Sequence, residues 1–122
     1  MEFTTIEQNG VKVTIVANDE KIITDIQSAL DLLATVDYET GANRIILNKD
    51  TVDYSFFVLS SGLAGDVLQK FITYHVKVAI YGDYSKYTSK PLKDFIYESN
   101  RGNDIFFVST KAQAVEKLIN AR

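Results

Sequence analysis

Cysteine and tryptophan are absent from this chain of 122 residues, which also has a single histidine, a single proline and a single methionine. The lack of cysteine excludes a disulfide framework, a zinc–thiolate site and a cysteine nucleophile. The lone histidine, His75, cannot build a typical zinc site by itself, and no sequence feature supplies the nucleophile and orienting acid that a catalytic histidine needs. The sequence therefore predicts no catalytic residue, no bound metal and no cofactor.

Long hydrophobic runs and an excess of positive charge are missing as well. The longest apolar runs extend over only a few residues, whereas a membrane-spanning helix needs roughly 20. The residues after Met1 lack the basic and then apolar stretch of a secretory signal. The formal net charge of −3 and the pI near 5.1 disfavour a dedicated nucleic-acid binder. We therefore expect a cytoplasmic protein that binds neither membranes nor nucleic acids.

Strand patterns are clear in several places. Alternating apolar and polar residues predict two N-terminal strands, residues 3–8 and 11–16, joined at Asn9 and Gly10. Asn-Gly favours a tight hairpin turn because both residues tolerate a positive φ. Three short apolar runs bounded by turn residues are typical of buried strands, and they are residues 44–48, 76–81 and 104–108.

Helical spacing of apolar residues separates the later strands, and capping signals mark where the helices begin. Thr24 opens a capping box before the first helix, which is expected to end near Val36. Ser89 precedes the third helix, and Thr110 forms a second capping box with Gln113 before the last helix.

The order of these elements is ββαβαβαβα, which predicts an α/β fold with a mixed, mostly parallel sheet and an antiparallel hairpin at its edge. A chain of this length, with 46% hydrophobic and 24% charged residues, buries enough surface to fold without a metal or a disulfide. No repeat or linker interrupts the pattern, so we predict a single domain over residues 1–122.

The segment from Ser60 to Gly65 carries two hydroxyls and two glycines where a loop enters the second helix. Either Ser60 or Ser61 is the expected N-cap. The first N–H groups of a helix lack partners within it and attract negative charge. Ser60, Ser61, Gly62 and Gly65 are therefore candidates for a phosphate site or for a phosphorylated serine. The alternative is an ordinary cap in which the two glycines permit close helix packing.

Asp83 and Thr110, like Ser61, follow predicted strands. In a parallel sheet, residues that follow strands gather at the carboxyl edge, where α/β proteins usually bind ligands. We therefore expect these three side chains at the same edge, and Asp83 and Thr110 join the candidates for ligand contact.

Aromatic and positive residues alternate in the loop after Asp83, at Tyr84, Lys86, Tyr87 and Lys90. Such a pattern can grip single-stranded nucleic acid. In an acidic domain it favours a mobile, solvent-exposed loop or a partner surface.

A second polar cluster, formed by Glu98, Asn100 and Arg101, ends the third helix. Arg101 is suited to clamp a carboxylate or a phosphate, and the alternative is a helix C-terminus with an arginine near the last carbonyls. Helices end at the opposite edge of the sheet, so neither this cluster nor His75 is expected to share a site with Ser61.

Four stretches of the chain carry a family resemblance, and they are residues 62–65, 68–71, 78–84 and 94–102, of which the last reads Asp-Phe-Ile-Tyr-Glu-Ser-Asn-Arg-Gly. In these stretches the chain resembles a bacterial family, domain-of-unknown-function family 4180. The N-terminal hairpin and residues 29–33 fit as well. This resemblance implies a family but no activity.

The segment Ser60–Gly65 is also similar to part of the STAS domains, the fold of anti-sigma factor antagonists, in which Ser-Ser-Gly-Leu-Gly lies between a strand and a helix. In that family a kinase phosphorylates a serine of this motif to release a partner, and the match implies that role for Ser61. Two features differ from the family, because Leu59 stands where an acidic residue is common and the loop before the serines is longer.

We therefore expect a non-catalytic regulatory or scaffold module that binds a protein partner or a small anionic ligand at Ser61. The alternative is an enzyme that acts on a phosphate-bearing small molecule through Ser61 and Asp83. A third interpretation is a domain that works by self-association as a homodimer.

Overall fold

The computed structural model describes every residue from Met1 to Arg122, with elements in the order predicted from the sequence. The strands are β1 (Glu2–Gln8), β2 (Val11–Ala17), β3 (Arg44–Asn48), β4 (Lys77–Tyr81) and β5 (Ile105–Val108). The helices are α1 (Ile26–Thr40), α2 (Leu63–Thr73), α3 (Lys90–Asn100) and α4 (Lys111–Asn120). Three short 3-10 helices connect β3 to α2, and they are Lys49–Thr51, Tyr54–Phe57 and Leu59–Ser61.

The predicted N-terminal hairpin is confirmed. β1 and β2 pair in antiparallel fashion, with Gln8 opposite Val11. Asn9 and Gly10 form the turn with φ values of 56° and 76°. Both angles lie in the left-handed region, which is the reason that an Asn-Gly pair forms this turn readily.

The sheet has the strand order β1-β2-β3-β4-β5, so each strand lies beside the one that precedes it in the chain. The three pairs from β2 to β5 are parallel. This arrangement confirms the predicted mixed, mostly parallel α/β sheet. Because the strand order never reverses, the sheet has no topological switch point, the place where open α/β sheets usually form a ligand crevice.

Helices cover the two faces of the sheet unequally. The alternation of a strand sends Ile45 and Leu47 of β3 to one face and Ile46 to the other. The first face, called here the three-helix face, is packed by α1, α2 and α3. The second, the α4 face, is packed by α4 alone.

Two of the four helices begin at the predicted caps. Ser89 and Thr110 cap α3 and α4 as predicted. The expected cap at Thr24 is wrong, because the Asp25 carboxylate accepts the N–H of Ser28 at 2.7 Å and the Ser28 hydroxyl completes the capping box. The N-cap of α1 is therefore Asp25, one residue after the predicted Thr24.

The end of α1 also differs from the prediction. The helix continues past Val36 and is stopped by Gly41, whose φ of 70° gives it a left-handed C-cap. Val36 itself is fully buried, whereas residues 37–39 of the added turn are exposed.

Candidate functional site

The connection between β3 and α2 is ordered by its own side chains. Asn48 and Asp53 cap the first two 3-10 helices by accepting backbone N–H groups. Val52 pairs with Ile23 in an isolated parallel bridge, which ties the connection to the segment before α1. Phe56 is buried in the core of the three-helix face. The connection is therefore a fixed platform for the residues it carries.

Ser61 lies one residue ahead of the N-cap of α2. Its hydroxyl donates to the carbonyl of Ser55 at 2.7 Å and accepts the N–H of Leu63 at 3.2 Å. The N-cap is Gly62, which has a φ of 78° and makes no side-chain capping bond. The expectation that Ser60 or Ser61 caps α2 is therefore wrong, since a left-handed backbone at the cap favours glycine. Both serines are exposed.

The two glycines of this segment do not serve close packing. A Cβ added to Gly62 or Gly65 would meet no atom within 4 Å. Gly62 is needed for its positive φ, whereas Gly65 lies on the exposed first turn of α2. The neighbouring Asp66 already places a negative charge in this turn, where the helix dipole favours it. An anion at Ser61 would have to share this helix end with Asp66.

An open groove of about 700 Å³ lies at the carboxyl ends of β3, β4 and β5. Its lining includes Lys49 after β3, Asp83 after β4 and Ser109 after β5. Neither Ser61 nor Thr110 is among the residues that line it. Of the three side chains expected together at this edge, the groove thus contains only Asp83.

Lys49 gives the groove a positive charge held by aromatic rings. Its Nζ lies 4.9 Å from the ring centroid of Tyr87, 5.9 Å from that of Phe57 and 6.0 Å from that of Tyr84. These are cation–π distances. The three ion pairs of the chain involve other residues. A Cβ on Gly82 would come within 2.6 Å of the Lys49 Cβ, so the absence of a side chain there lets the lysine stem lie against β4.

No local sequence pattern identifies Lys49, because its three aromatic partners come from separate parts of the chain. The available signal is its position as a polar residue directly after a buried strand. Asp83 was predicted as a site residue from the equivalent position after β4, and Lys49 has that position after β3.

The Asp83 carboxylate is fixed by its own loop. The hydroxyl and the N–H of Ser85 both donate to it, the N–H at 2.8 Å, and hold its pKa below the usual range. The positive charges of Lys86 and Lys49 lower the pKa further. Asp83 is therefore a carboxylate, not a proton donor, near neutral pH.

The loop after β4 is anchored by its tyrosines. Tyr87 stacks on Phe57 with centroids 5.3 Å apart, and Tyr84 meets Phe107 edge-on at 5.9 Å. The Tyr84 hydroxyl donates to the carbonyl of Ile80 at 2.8 Å, and burial raises the pKa of this hydroxyl. Both tyrosines are half-buried, whereas the polar residues between them are exposed. The expected exposure thus holds only for the polar part of the loop, and the alternative of a partner surface stays a prediction.

Thr110 is occupied as a helix cap. Its hydroxyl accepts the N–H of Gln113 at 3.1 Å, and the Gln113 side chain accepts the N–H of Thr110 in return. The predicted capping box is therefore confirmed.

The polar cluster at the end of α3 divides into two parts. The Asn100 amide bonds both the N–H and the carbonyl of Phe107, at 2.7 and 3.0 Å, and so pairs with the outer edge of β5. Arg101 lies 3.7 Å from Glu98 and 5.7 Å from the ring centroid of Tyr97, with both charged groups exposed. Asn100 thus has a structural role, and only Arg101 and Glu98 face solvent as charged groups.

The titratable side chains form no arrangement of three or more that could hold a metal ion. None of the helices combines the length and apolar character needed to cross a membrane.

Comparison with known proteins identifies the family. The sequence pattern that defines a domain of unknown function (DUF4180) matches residues 8–118. No curated protein matches the chain. A solved structure from Thermotoga maritima, which carries the provisional assignment of anti-sigma factor antagonist, is similar with 18% sequence identity and a TM-score of 0.48, over 97% of this chain and 95% of that one. The family pattern covers nearly the whole chain, which therefore belongs to the DUF4180 family.

Proposed function

We propose that the chain is a regulatory module that binds a protein partner through a surface formed by Tyr54–Ser61, called here the Ser61 surface. The observation that carries this proposal is the exposure of two apolar side chains beside Ser61. Tyr54 is 76% exposed and Val58 is 46% exposed. Exposed aromatic and aliphatic groups on an ordered backbone are typical of surfaces that bind another protein.

The anchoring of this segment supports the proposal. Phe56 and Phe57 are buried between the exposed pair, so Tyr54 and Val58 are presented by a short, fixed stretch of backbone. Binding to a pre-ordered surface avoids much of the entropy cost of ordering a loop. An open apolar platform of this kind suits a protein better than a small molecule.

Ser61 is suited to switch this surface. A phosphate on its Oγ removes the proton that the hydroxyl donates to the Ser55 carbonyl. It places about two negative charges close to that carbonyl, at a helix end whose first turn already carries Asp66. The helix dipole would favour the phosphate, but the lost hydrogen bond and the charge repulsion act against the present conformation. Modification should therefore disturb the surface and weaken partner binding.

An enzyme that uses Ser61 as a nucleophile is the less favoured alternative. The Ser61 hydroxyl donates its proton to a backbone carbonyl, not to a base. The single histidine, His75, follows the C-terminus of α2, about 16 Å of helix away from Ser61 at 1.5 Å per residue.

The test compares two exposed apolar residues of similar accessibility. Val58→Asp changes the Ser61 surface, whereas Ile72→Asp, at a residue that is 43% exposed on α2, is the matched control. Partners are recovered with the wild-type full chain, and their affinity for each variant is then measured by calorimetry. Val58→Asp should weaken binding about tenfold or more, and Ile72→Asp should leave it unchanged. Equal affinity for both variants would show that the Ser61 surface is not the binding site.

A second pair of variants tests the switch. Ser61→Asp adds the charge and should weaken partner binding, while Ser61→Ala removes only the hydroxyl and should retain most of it. Equal binding by both variants, with circular dichroism unchanged, would contradict a phosphorylation switch without contradicting the surface itself.

One observation favours a second candidate, binding of a small anion in the groove beside β4. The Lys49 ammonium lies over three rings and belongs to none of the ion pairs of the chain. It borders a groove that is lined by Lys86 and Ser109 and also by the carboxylates of Asp50 and Asp83, with which an anion would compete. Titration with inorganic phosphate, followed by amide shifts of wild type and Lys49→Met, tests it. Loss of the response in Lys49→Met would support the site, and an equal response would exclude it.

A further inference from the structure

A second surface, independent of the Ser61 surface, runs along α1. It is a groove of about 550 Å³ between α1, the end of α2 and the segment before β4. Its apolar lining residues are Leu30, Leu33, Ala34, Ala42, Tyr74 and Val76. Tyr74 is 59% exposed, so a large aromatic side chain forms one wall of the groove and remains available for contact.

The rim of the groove is polar and negative. Gln27, Asp31, Asp37 and Asn43 complete the lining. Gln27, Asp31, Ala34 and Asp37 follow one another at intervals of three or four residues, so they form a stripe on one side of α1. From Gln27 to Asp37 this stripe is about 15 Å long at 1.5 Å per residue.

The acidic side chains of α1 form no ion pair with a lysine or arginine. Asp31, Asp37 and Glu39 lie in the helix, which contains no lysine or arginine. All three ion pairs of the chain are formed elsewhere. Lys12 reaches this end of the helix, but it donates to the carbonyl of Thr40 at 3.3 Å.

The placement of these acids is unfavourable for the free chain. Asp37 and Glu39 lie in the last turn of α1, where the negative end of the helix dipole disfavours anions and favours cations. A positively charged partner would relieve this repulsion and would pair with carboxylates that face solvent. The charge pattern of α1 therefore favours a partner segment with positive charge.

We propose that this groove, called here the α1 groove, binds an amphipathic helix of about three turns from a partner protein, with leucine-like residues on one face and lysine or arginine at its flanks. Its apolar face would lie along the groove, and the small side chain of Ala34 leaves room for a bulky residue near the middle. Its basic residues would pair with Asp31 and Asp37. A length of about 15 Å matches roughly ten residues of helix.

The probe for this proposal is a pair of synthetic 14-residue peptides with identical leucine positions and opposite flanking charges. One carries lysine at the flanking positions and the other carries glutamate. Each is titrated into the isotope-labelled full chain at low salt, and backbone amide shifts report the site. The lysine peptide should shift residues around Leu30, Ala34 and Tyr74, bind at least about tenfold more tightly than the glutamate peptide, and lose affinity as salt is added.

Variants separate the groove from the overall charge of the protein. Asp31→Asn with Asp37→Asn should weaken the lysine peptide about threefold to tenfold, as expected for two exposed charge pairs. Asp19→Asn with Glu20→Gln makes the same change in net charge in an exposed loop and should have no effect. Ala34→Arg should abolish binding by filling the groove with bulk and positive charge.

Several outcomes would overturn the proposal. These are equal binding of the two peptides, equal effects of the two charge-neutralising pairs, full binding to a folded Ala34→Arg variant, or shifts confined to another surface. Shifts at Tyr54–Ser61 alone would assign the peptide to the Ser61 surface. Because Val58→Asp changes only that surface, failure here leaves the test of the proposed function intact.

Discussion

The two faces of the sheet carry hydrophobic cores of different size. On the three-helix face, 20 buried residues form one cluster, to which three helices and the connection before α2 contribute. On the α4 face the cluster has seven buried residues and depends on a single helix. Burial of apolar surface is the main stabilising term in folding. The comparison indicates that most of the free energy of folding comes from packing on the three-helix face. The stability of the α4 face depends on how strongly α4 is held against the sheet.

Arg44, at the start of β3, provides part of that attachment. Its Nη1 donates to the carbonyls of Leu118 and Ala121, the second at 2.9 Å. These carbonyls lie at the end of α4, where a helix leaves its last acceptors without partners and its dipole favours a cation. The α4 face is thus held by a small apolar core together with the hydrogen bonds of the Arg44 guanidinium to the end of α4.

The largest effect is expected in the core of the three-helix face. Phe71 is 1% exposed, and Phe71→Ala should lower the free energy of unfolding by about 3–5 kcal/mol. Urea denaturation followed by circular dichroism measures this change. Phe95, which is half-buried against Phe107 with centroids 5.8 Å apart, is the control. A cost for Phe95→Ala equal to or above that of Phe71→Ala would contradict this ranking.

On the α4 face, Leu118→Ala tests the weaker layer. Leu118 is fully buried, and its truncation should cost about 2–5 kcal/mol. Amide hydrogen exchange should show α4 opening far more often while β3 and β4 keep most of their protection. Equal loss of protection across the whole sheet would mean that the two faces unfold as one unit. The three-helix face and the α4 face would then not differ in stability.

A smaller, pH-dependent effect is expected at Tyr84, on the three-helix face. Its pKa is raised by burial from an ordinary value of 10.0. Above that pH the unfolded chain releases the phenol proton while the folded chain keeps it, so the unfolded state binds fewer protons and the free energy of unfolding falls as pH rises. Below it, this contribution to stability is fully present.

Tyr84→Phe should remove this dependence. Near neutral pH the variant loses the hydrogen bond to Ile80 and about 0.5–1.5 kcal/mol. Urea midpoints of the two proteins should converge as pH rises above about 10. Curves that stay parallel through this range would show that Tyr84 is not the group responsible.

The smallest effects belong to the outer surface of the same face. Gly65→Ala should stabilise α2 by about 0.5–1 kcal/mol because helical alanine is favoured over glycine. Gly62→Ala should destabilise by about 1 kcal/mol because its φ is 78°. Thermal unfolding of the two variants measures both. Shifts of the same sign would indicate that the backbone at one of these positions differs from the structure.

Most of the fold could be predicted from the sequence because its elements are specified locally. Residues 44–48 carry a strand-like apolar run, and β3 is Arg44–Asn48. Thr110 and Gln113 have the spacing of a capping box, and they form one. The caps of α1 and α2 were predicted wrongly because adjacent residues compete for each position, and local patterns do not give the relative energies of neighbouring caps.

The geometry of the candidate site could be predicted only in part. Asp83 was identified because it follows a strand, but its neighbours depend on the order of strands in the sheet. That order is set by packing of whole βα units, and it places Lys49 against Tyr84 and Tyr87 of a distant loop. The exposure of Tyr54 and Val58 likewise depends on tertiary packing, because Phe56 and Phe57 between them occupy the core.

The sequential strand order also governs how this molecule can assemble. Each strand from β2 to β5 pairs with the strand before it in the chain, so successive βα units can join the sheet from one side in the order of their synthesis. Pairing between neighbours in the chain keeps each loop closure shorter than pairing between distant strands would. Helix α4 contacts β2, β3, β4 and β5 and can dock only when the last of these strands has joined. Until that step an incomplete chain displays an uncovered apolar sheet face, which is the form in which a growing chain is most exposed to aggregation.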